Sequence, residues 1–248
     1  TTSKHAKARA TRRMLESYHG KEDTLAVKKA WPFLSNEDYH IRYAARLALE
    51  WQDSQSWANQ AYSEKDDLAA IHALLGLARS DLAGSLKPSV DRLLKVDFDQ
   101  LDKTGKLALL RTYSVIMSRG GTPDTNQVLA IAEQLDPFFP SSDDNLNEEL
   151  CRVLCFLEHP AVVRKTIALM KTTQAKIPDY DAEVMKRHKG YGARILSTME
   201  ADAAPNILNI HLLFCLKDVQ SGWSMNDRKA YLGELQNLAT KKGGNMFT

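Results

Sequence analysis

Apolar residues recur along this chain at three- and four-residue intervals in segment after segment. No stretch shows the period-two alternation of β-branched residues that marks a half-buried strand, so the expected class is all-α. The clearest segment runs from Asn36 to Trp51, where Ile41, Ala44, Ala45, Ala48 and Leu49 fall on one stripe at i, i+3, i+4, i+7 and i+8. Ser35 and Asp38 read as a capping-box-like start to it. Comparable stripes fall at Leu68, Ile71, Leu75 and Ala78, at Val128, Ile131, Ala132 and Leu135, and at Leu146, Leu150, Val153, Leu154 and Leu157. Lys106–Met117 and Ile207–Leu216 are apolar almost all round, as expected of helices covered on more than one side, and are the candidates for central positions. Punctuation follows the same parsing. Thr122 before Pro123 reads as an N-cap followed by proline at the first helical position, Pro160 and Pro205 open further helices, and Lys241, Lys242 and Gly243 form a helix stop. Short polar links without a long tether predict a single domain over 1–248, built as a row of stacked helical hairpins.

One segment restates a known motif. With Asn36, Asp38, Ile41, Arg42, Ala45, Ala48 and Leu49 as its fixed points, Leu34–Leu49 resembles the second-helix signature of HEAT repeats. The resemblance implies an α-α superhelix, a HEAT/armadillo-like solenoid of stacked helical hairpins. Its small alanines let neighbouring helices approach, while Asp38 and Arg42 can bond within and between repeats and set their rotation. Later segments keep a hairpin rhythm of roughly 40 residues without repeating the motif.

A wider set of short tokens points in the same direction: His19-Gly20-Lys21, Ala30-Trp31-Pro32, Ile41-Arg42-Tyr43-Ala44-Ala45-Arg46, then Gly222-Trp223, Arg228, Tyr231 and Gly243-Gly244-Asn245. Together they resemble the helical-repeat region of large secreted bacterial multidomain proteins, where it lies between a sugar-dehydrogenase-like propeller and a c-type cytochrome. That resemblance implies an extracytoplasmic spacer whose partners are proteins or neighbouring domains of the same polypeptide. The chain contains no Cys-x-x-Cys-His and no propeller-like strands, so the family's redox activity does not carry over to these residues and no cofactor is expected here.

Charge and chemistry change this picture little. Lysine and arginine number 33 against 31 acidic residues, so the chain lacks the single-sign field that nucleic-acid binding normally requires. No run approaches the ~18 consecutive apolar residues of a membrane span, and the first residues lack the apolar core of a secretory signal. The chain does not begin with methionine, which suggests a processed protein or a piece of a longer one.

Three cysteines, Cys151, Cys155 and Cys215, are too few for a disulfide framework. Cys151 and Cys155, four apart, share a helix face and supply at most half a metal site; no local partner pair completes a tetrahedron, so they read as core and no metal is expected. Cys215 has His211 at i−4 as its only local base, a spacing that arises readily by chance. The seven histidines stand singly, without the repeated His-Glu pairs of helical-repeat hydroxylases. Lys4, Lys7, Arg9, Arg12 and Arg13 make a basic first helix, and Lys186, Arg187, His188 and Lys189 a second cluster. Such clusters can meet phosphates, but a solvated helix face is the better explanation, because acidic residues are spread through the rest of the chain. Trp31, Trp51, Trp57 and Trp223 could serve as stacking platforms, but three of them fall at helix ends, where large rings close the hairpin core, so they read as packing groups. Gly120-Gly121 and Gly243-Gly244 lack the Gly-Lys-Ser/Thr of a phosphate loop.

The expected function is therefore a non-catalytic scaffold or protein-interaction module with no catalytic residues of its own. The alternative is a HEAT-like DNA glycosylase, which would need a basic groove with aromatic residues and a carboxylate.

Overall fold

The computed structural model describes residues 2–80, 84–175, 190 and 205–241, and the side chains of the first helix from residue 5 onward. Among the described residues there are helices and turns but no strands. The chain divides into two compact units, Thr1–Pro137 and Phe138–Thr248.

The first unit contains α1 (Thr2–Glu16), α2 (Ala26–Ala30), α3 (Tyr39–Glu50), α4 (Ala58–Ser63), α5 (Asp67–Arg79), α6 (Leu86–Leu93), α7 (Lys103–Gly120) and α8 (Thr125–Leu135). The second contains α9 (Asp144–Phe156), α10 (Val162–Thr172), α11 (Ile207–Leu216) and α12 (Met225–Ala239). The helix starts follow from side-chain capping. Asp38, Asp66, Asp102, Asp124 and Asp143 each precede a helix and accept a hydrogen bond from a backbone N–H of its first turn. This satisfies donors that the helix geometry leaves free. Asn206 does the same for α11, and Ser224 with Asp227 forms a reciprocal capping box on α12.

In the first unit the long helices are neighbours in turn: α1 packs on α3, α3 on α5, and α5 on α7. The shorter α2, α4 and α6 pack beside α3, α5 and α7 respectively. The buried centre is α5, where every residue from Ala69 to Ala78 is buried. Each fully buried leucine or isoleucine there contributes about 1.5–3 kcal/mol. Gly76 makes the closest approach possible. A Cβ at that position would lie 3.3 Å from Arg46 Cγ, 3.6 Å from Glu50 Cγ and 3.7 Å from the Trp57 ring.

Polar ties join neighbouring helices, and four of them share nearly one interval. Thr112 Oγ1 donates to the Ile71 carbonyl (3.4 Å), Arg119 to Ala78 (3.2 Å), Gln127 to Lys87 (3.0 Å) and Gln134 to Leu93 (3.2 Å). The joined positions are 41, 41, 40 and 41 residues apart. Further ties come from Arg79 to Glu50 (3.0 Å) and from buried Arg92, which donates to the Glu64 carbonyl (2.7 Å) and to Asp67 (2.8 Å).

In the second unit α9 packs on α11 and α10, and α12 packs on α10 and α11. Asn209, buried on α11, donates to the Met170 carbonyl (3.2 Å) and to Glu234 (2.7 Å) and accepts from Thr173 Oγ1 (2.6 Å). One side chain thereby joins α10, α11 and α12. Gly222 turns at φ 78°, and a Cβ there would sit 3.0 Å from the Pro160 carbonyl oxygen, so both backbone and space require glycine.

Several local expectations are corrected. Asp38, not a Ser35–Asp38 box, caps α3, because Asp38 has the extended backbone and reaches the His40 N–H. Asp124 rather than Thr122 caps α8; its carboxylate reaches the Gln127 N–H at 3.0 Å and shifts the start past Pro123. Pro160 and Pro205 lie just upstream of the caps Ala161 and Asn206 rather than at first helical positions. α11 is covered by α9, α10 and α12 yet leaves Ile207, Ile210 and Phe214 65, 42 and 66 % exposed, and α5, buried throughout Ala69–Ala78, takes the central position instead. Lys242, Gly243, Gly244 and Asn245 lie outside the described residues. Among the described residues no helix is long and apolar enough to cross a membrane.

Candidate functional site

The motif residues of Leu34–Leu49 act mainly within their own helix. Ile41, Arg42, Ala45, Ala48 and Leu49 are buried. Asn36 caps the turn before α3 by accepting from the Asp38 N–H (2.9 Å), and Asp38 then accepts from His40. Arg42 folds back on the same turn, its Nη1 donating to the carbonyls of Asn36 (2.5 Å) and Glu37 (3.0 Å). The structure gives Asp38 and Arg42 these local bonds, and bonds to a neighbouring hairpin come from other residues. Gln52, just past α3, is the main one: it accepts from the Asp23 N–H (2.8 Å) and donates to the Lys21 carbonyl (3.1 Å).

The outward face of α3 has a different character. Tyr39 and Tyr43 are both exposed and stacked at 6.2 Å, with the Arg46 guanidinium 5.1 Å from the Tyr43 ring centre. Arg46 and Arg79 both bond Glu50, at 2.9 and 3.0 Å, so this face carries two rings and two cations sharing one carboxylate. Periodicity alone did not distinguish these tyrosines from any other exposed pair; their i, i+4 spacing with Arg46 three residues on was the available signal.

On the next helix, His72 is buried with neither ring nitrogen hydrogen-bonded. Burial first, and then the charges of Arg42 and Arg46, push its pKa down to about 4.

On the basic first helix, Lys7, Arg9, Arg12 and Arg13 are all exposed. Arg12 pairs with Glu16 at 3.0 Å across one turn. Lys7 also borders a cleft of about 720 Å³ with Phe33, Asn36, Asp38 and Ile41. The side chain of Lys4, and all of Lys186, Arg187, His188 and Lys189, lie outside the described residues.

In the second unit the fold assembles what the sequence kept apart. The packing of α9 on α11 brings Cys215 and His211 to Cys151 and Cys155, so all three cysteines of the chain meet. Cys151 Sγ lies 3.7 Å from Cys155 Sγ and 3.6 Å from Thr166 Oγ1, and it also interacts with the Cys215 thiol. Cys215 Sγ lies 3.3 Å from His211 Nε2. A cleft of about 460 Å³ opens beside this group, bordered by Arg152, Cys155, Phe156, His211, Phe214 and Cys215. The missed signal was long-range: 60 residues separate Cys155 from Cys215, and helical spacing speaks only of one helix.

The chemistry of this group is that of thiols rather than of a nucleophile and its base. His211 Nε2 also lies 3.1 Å from the Glu148 carbonyl, which can only accept, so Nε2 carries the hydrogen and donates. Hydrogen bonding with Cys151 and burial raise the Cys215 thiol above the usual range, against the opposing pull of His211. Hydrogen bonding with Cys155 and burial likewise raise Cys151. Among the described residues no group of three or more His, Cys, Asp or Glu side chains is arranged to hold a metal ion.

The remaining sequence tokens also gain positions. His19 reaches the Ala44 carbonyl on α3 at 2.9 Å, and Trp31 donates to Glu64 at 2.6 Å while meeting Trp57 edge-on at 6.3 Å. Trp223, Arg228 and Tyr231 form one cluster, with Trp223 and Tyr231 edge-on at 5.4 Å and Arg228 over the indole at 5.7 Å. Trp57 is buried as a packing group, whereas Trp51 is 49 % exposed. No protein-family model, curated protein or solved structure matches the chain.

Proposed function

We propose that this chain is a non-catalytic helical-repeat module of the HEAT type, an α-α superhelix of stacked hairpins that binds or positions a protein or neighbouring domains of its own polypeptide. The observation that carries this reading is the interval of the ties in the first unit. Four side-chain bonds join alternate helices, α5 to α7 and α6 to α8, at positions 40 or 41 residues apart, which fits one helical hairpin stacked on the next. The local bonds of Asp38 and Arg42 fit a motif that shapes its own hairpin. The contact surface of this reading is the exposed Tyr39–Tyr43 stack with Arg46 and Arg79, because tyrosine and arginine dominate protein-interface energetics. By the resemblance of its short tokens, the module is an extracytoplasmic spacer between an oxidising domain and a haem domain.

The test is site-specific photocrosslinking from position 39 in the source cells. Polypeptide adducts are expected. Excess unlabelled chain should suppress them, and an excess of the Tyr39→Ala, Tyr43→Ala chain should not. Adducts to nucleic acid, together with duplex binding that weakens steeply with salt, would replace this reading with that of a HEAT-like DNA glycosylase.

A further inference from the structure

The second unit leaves one apolar face uncovered, an observation that stands apart from the repeat reading. We propose that this face, made by the outer sides of α11 and α12 with Phe156 of α9, is where two copies of this chain pair about a two-fold axis.

α11 is apolar on both its sides. Leu208, Leu212, Leu213 and Leu216 are buried within the unit, while Ile207, Ile210 and Phe214, at i, i+3 and i+7, line the opposite side and are exposed. α12 repeats that spacing: Met225, Leu232 and Leu235 are exposed at i, i+7 and i+10, with exposed Arg228 between them at i+3. None of the fifteen residues of α12 is buried. The helix therefore gains little from its own unit, although packing supplies most of a helix's stability in a protein.

The two stripes form one surface. Lys217 Nζ lies 4.7 Å from the Phe214 ring centre and borders a cleft of about 250 Å³ with Leu232, while Phe156 and Phe214 border the cleft of about 460 Å³. The two clefts adjoin at Val219. These seven apolar side chains are each 40–70 % exposed. At about 150–200 Å² for a large apolar side chain, they present roughly 600–800 Å² to solvent. The largest apolar patch on a typical monomer is about 300–600 Å², whereas each member of a stable pair contributes about 800 Å².

Shape and charge make a second copy the fitting occupant. Projecting side chains and recesses lie on the same face, as a two-fold interface requires, because each copy must supply both halves of every contact. Lys217 and Asp218 neutralise one another at 2.7 Å, and Arg152 is paired with Glu149. That leaves the carboxylate of Glu158 at one cleft and the guanidinium of Arg228 at the other. A two-fold axis between the clefts brings Arg228 of each copy toward Glu158 of its partner, so the face is complementary to itself.

The test is sedimentation equilibrium of the purified chain over a concentration series, with hydrogen exchange of α11 and α12 followed at both ends of it. The expected result is twice the mass of one chain at high concentration, reverting on dilution as the α12 amides lose protection. Phe214→Glu and Leu232→Glu replace exposed side chains, so the unit itself should keep its helices by circular dichroism. Each should raise the dimer's Kd about a hundredfold or more, since every substitution enters a two-fold interface twice. Arg228→Glu and Glu158→Arg should each weaken pairing, and the two together should restore it. Leu129→Glu, at an exposed position of the first unit, should leave pairing unchanged. A single mass at every concentration, a dimer that survives both Phe214→Glu and Leu232→Glu, a dimer lost equally in Leu129→Glu, or a double charge reversal no better than either single one would overturn the proposal.

Discussion

Acid should weaken the first unit through one residue, His72. Its ring is 7 % exposed, neither nitrogen is hydrogen-bonded, and the nearest charges are the cations of Arg42 and Arg46. All three conditions oppose a second proton, and the pKa falls from 6.5 to about 4. The sign follows from linkage. In the unfolded chain His72 takes up its proton as pH falls through 6.5, while the folded chain does not until about pH 4. The unfolded state then binds more protons, so stability is intact above pH 6.5 and declines as pH falls toward 4. The loss attributable to His72 is about 1.4 kcal/mol at pH 5.5 and about 3 kcal/mol at pH 4. The control is His72→Leu, which removes the titration and the two unbonded nitrogens at similar volume. Urea unfolding of both chains at pH 7, 5.5 and 4 isolates the effect, because titrating carboxylates contribute equally and cancel in the difference. Tryptophan fluorescence is a suitable signal, since Trp31, Trp51 and Trp57, three of the four tryptophans, lie in the first unit. The stability of the parent minus that of the variant should fall by about 3 kcal/mol from pH 7 to pH 4. A difference that stays flat with pH would refute the argument and mean that the His72 ring is hydrated or hydrogen-bonded in solution.

Three further outcomes test the packing. Arg92→Met removes bonds to the Glu64 carbonyl and Asp67, and should lower the first unit's unfolding free energy in urea by about 2 kcal/mol. Arg92→Lys should recover only part of that, because an ammonium cannot reach both acceptors with the guanidinium's fork. Asp66→Ala deletes the cap that accepts from the Ala69 N–H at 2.8 Å and should cost about 1 kcal/mol in the same assay, with Asp66→Asn near neutral. Gly76→Leu places a branched side chain where a Cβ already lies 3.3 Å from Arg46 Cγ, and should cost about 1–3 kcal/mol despite leucine's better helix propensity. A Gly76→Leu chain as stable as the parent would show that α3 and α5 separate freely.

The helical class and most helices were legible in the one-dimensional pattern. The stripe on α9 is an example: Leu146, Leu150, Val153, Leu154 and Leu157 are all buried as their spacing requires. Boundaries failed where competing caps lay side by side, as with Thr122 and Asp124, because only the folded backbone decides which oxygen meets a free N–H. Apolar content also misjudged position. α11 is richer in apolar residues than α5 is in large ones, yet Phe214 stands 66 % exposed while the small Ala69, Ala70, Ala73 and Gly76 let α5 be surrounded. Coverage depends on how near a neighbour can come as well as on how greasy the helix is.

Sequence by itself settled what each segment does with its own neighbours, because periodicity, capping and helix propensity act within a few residues. Tertiary structure alone decided which distant groups meet. It placed Cys215 and His211 beside Cys151, set His72 within the field of Arg42 and Arg46, and gave the lateral bonds to Gln52, Arg92, Arg119 and Gln127. Those encounters depend on the rotation and offset of one helix against another, which the packing of all the side chains between them determines together.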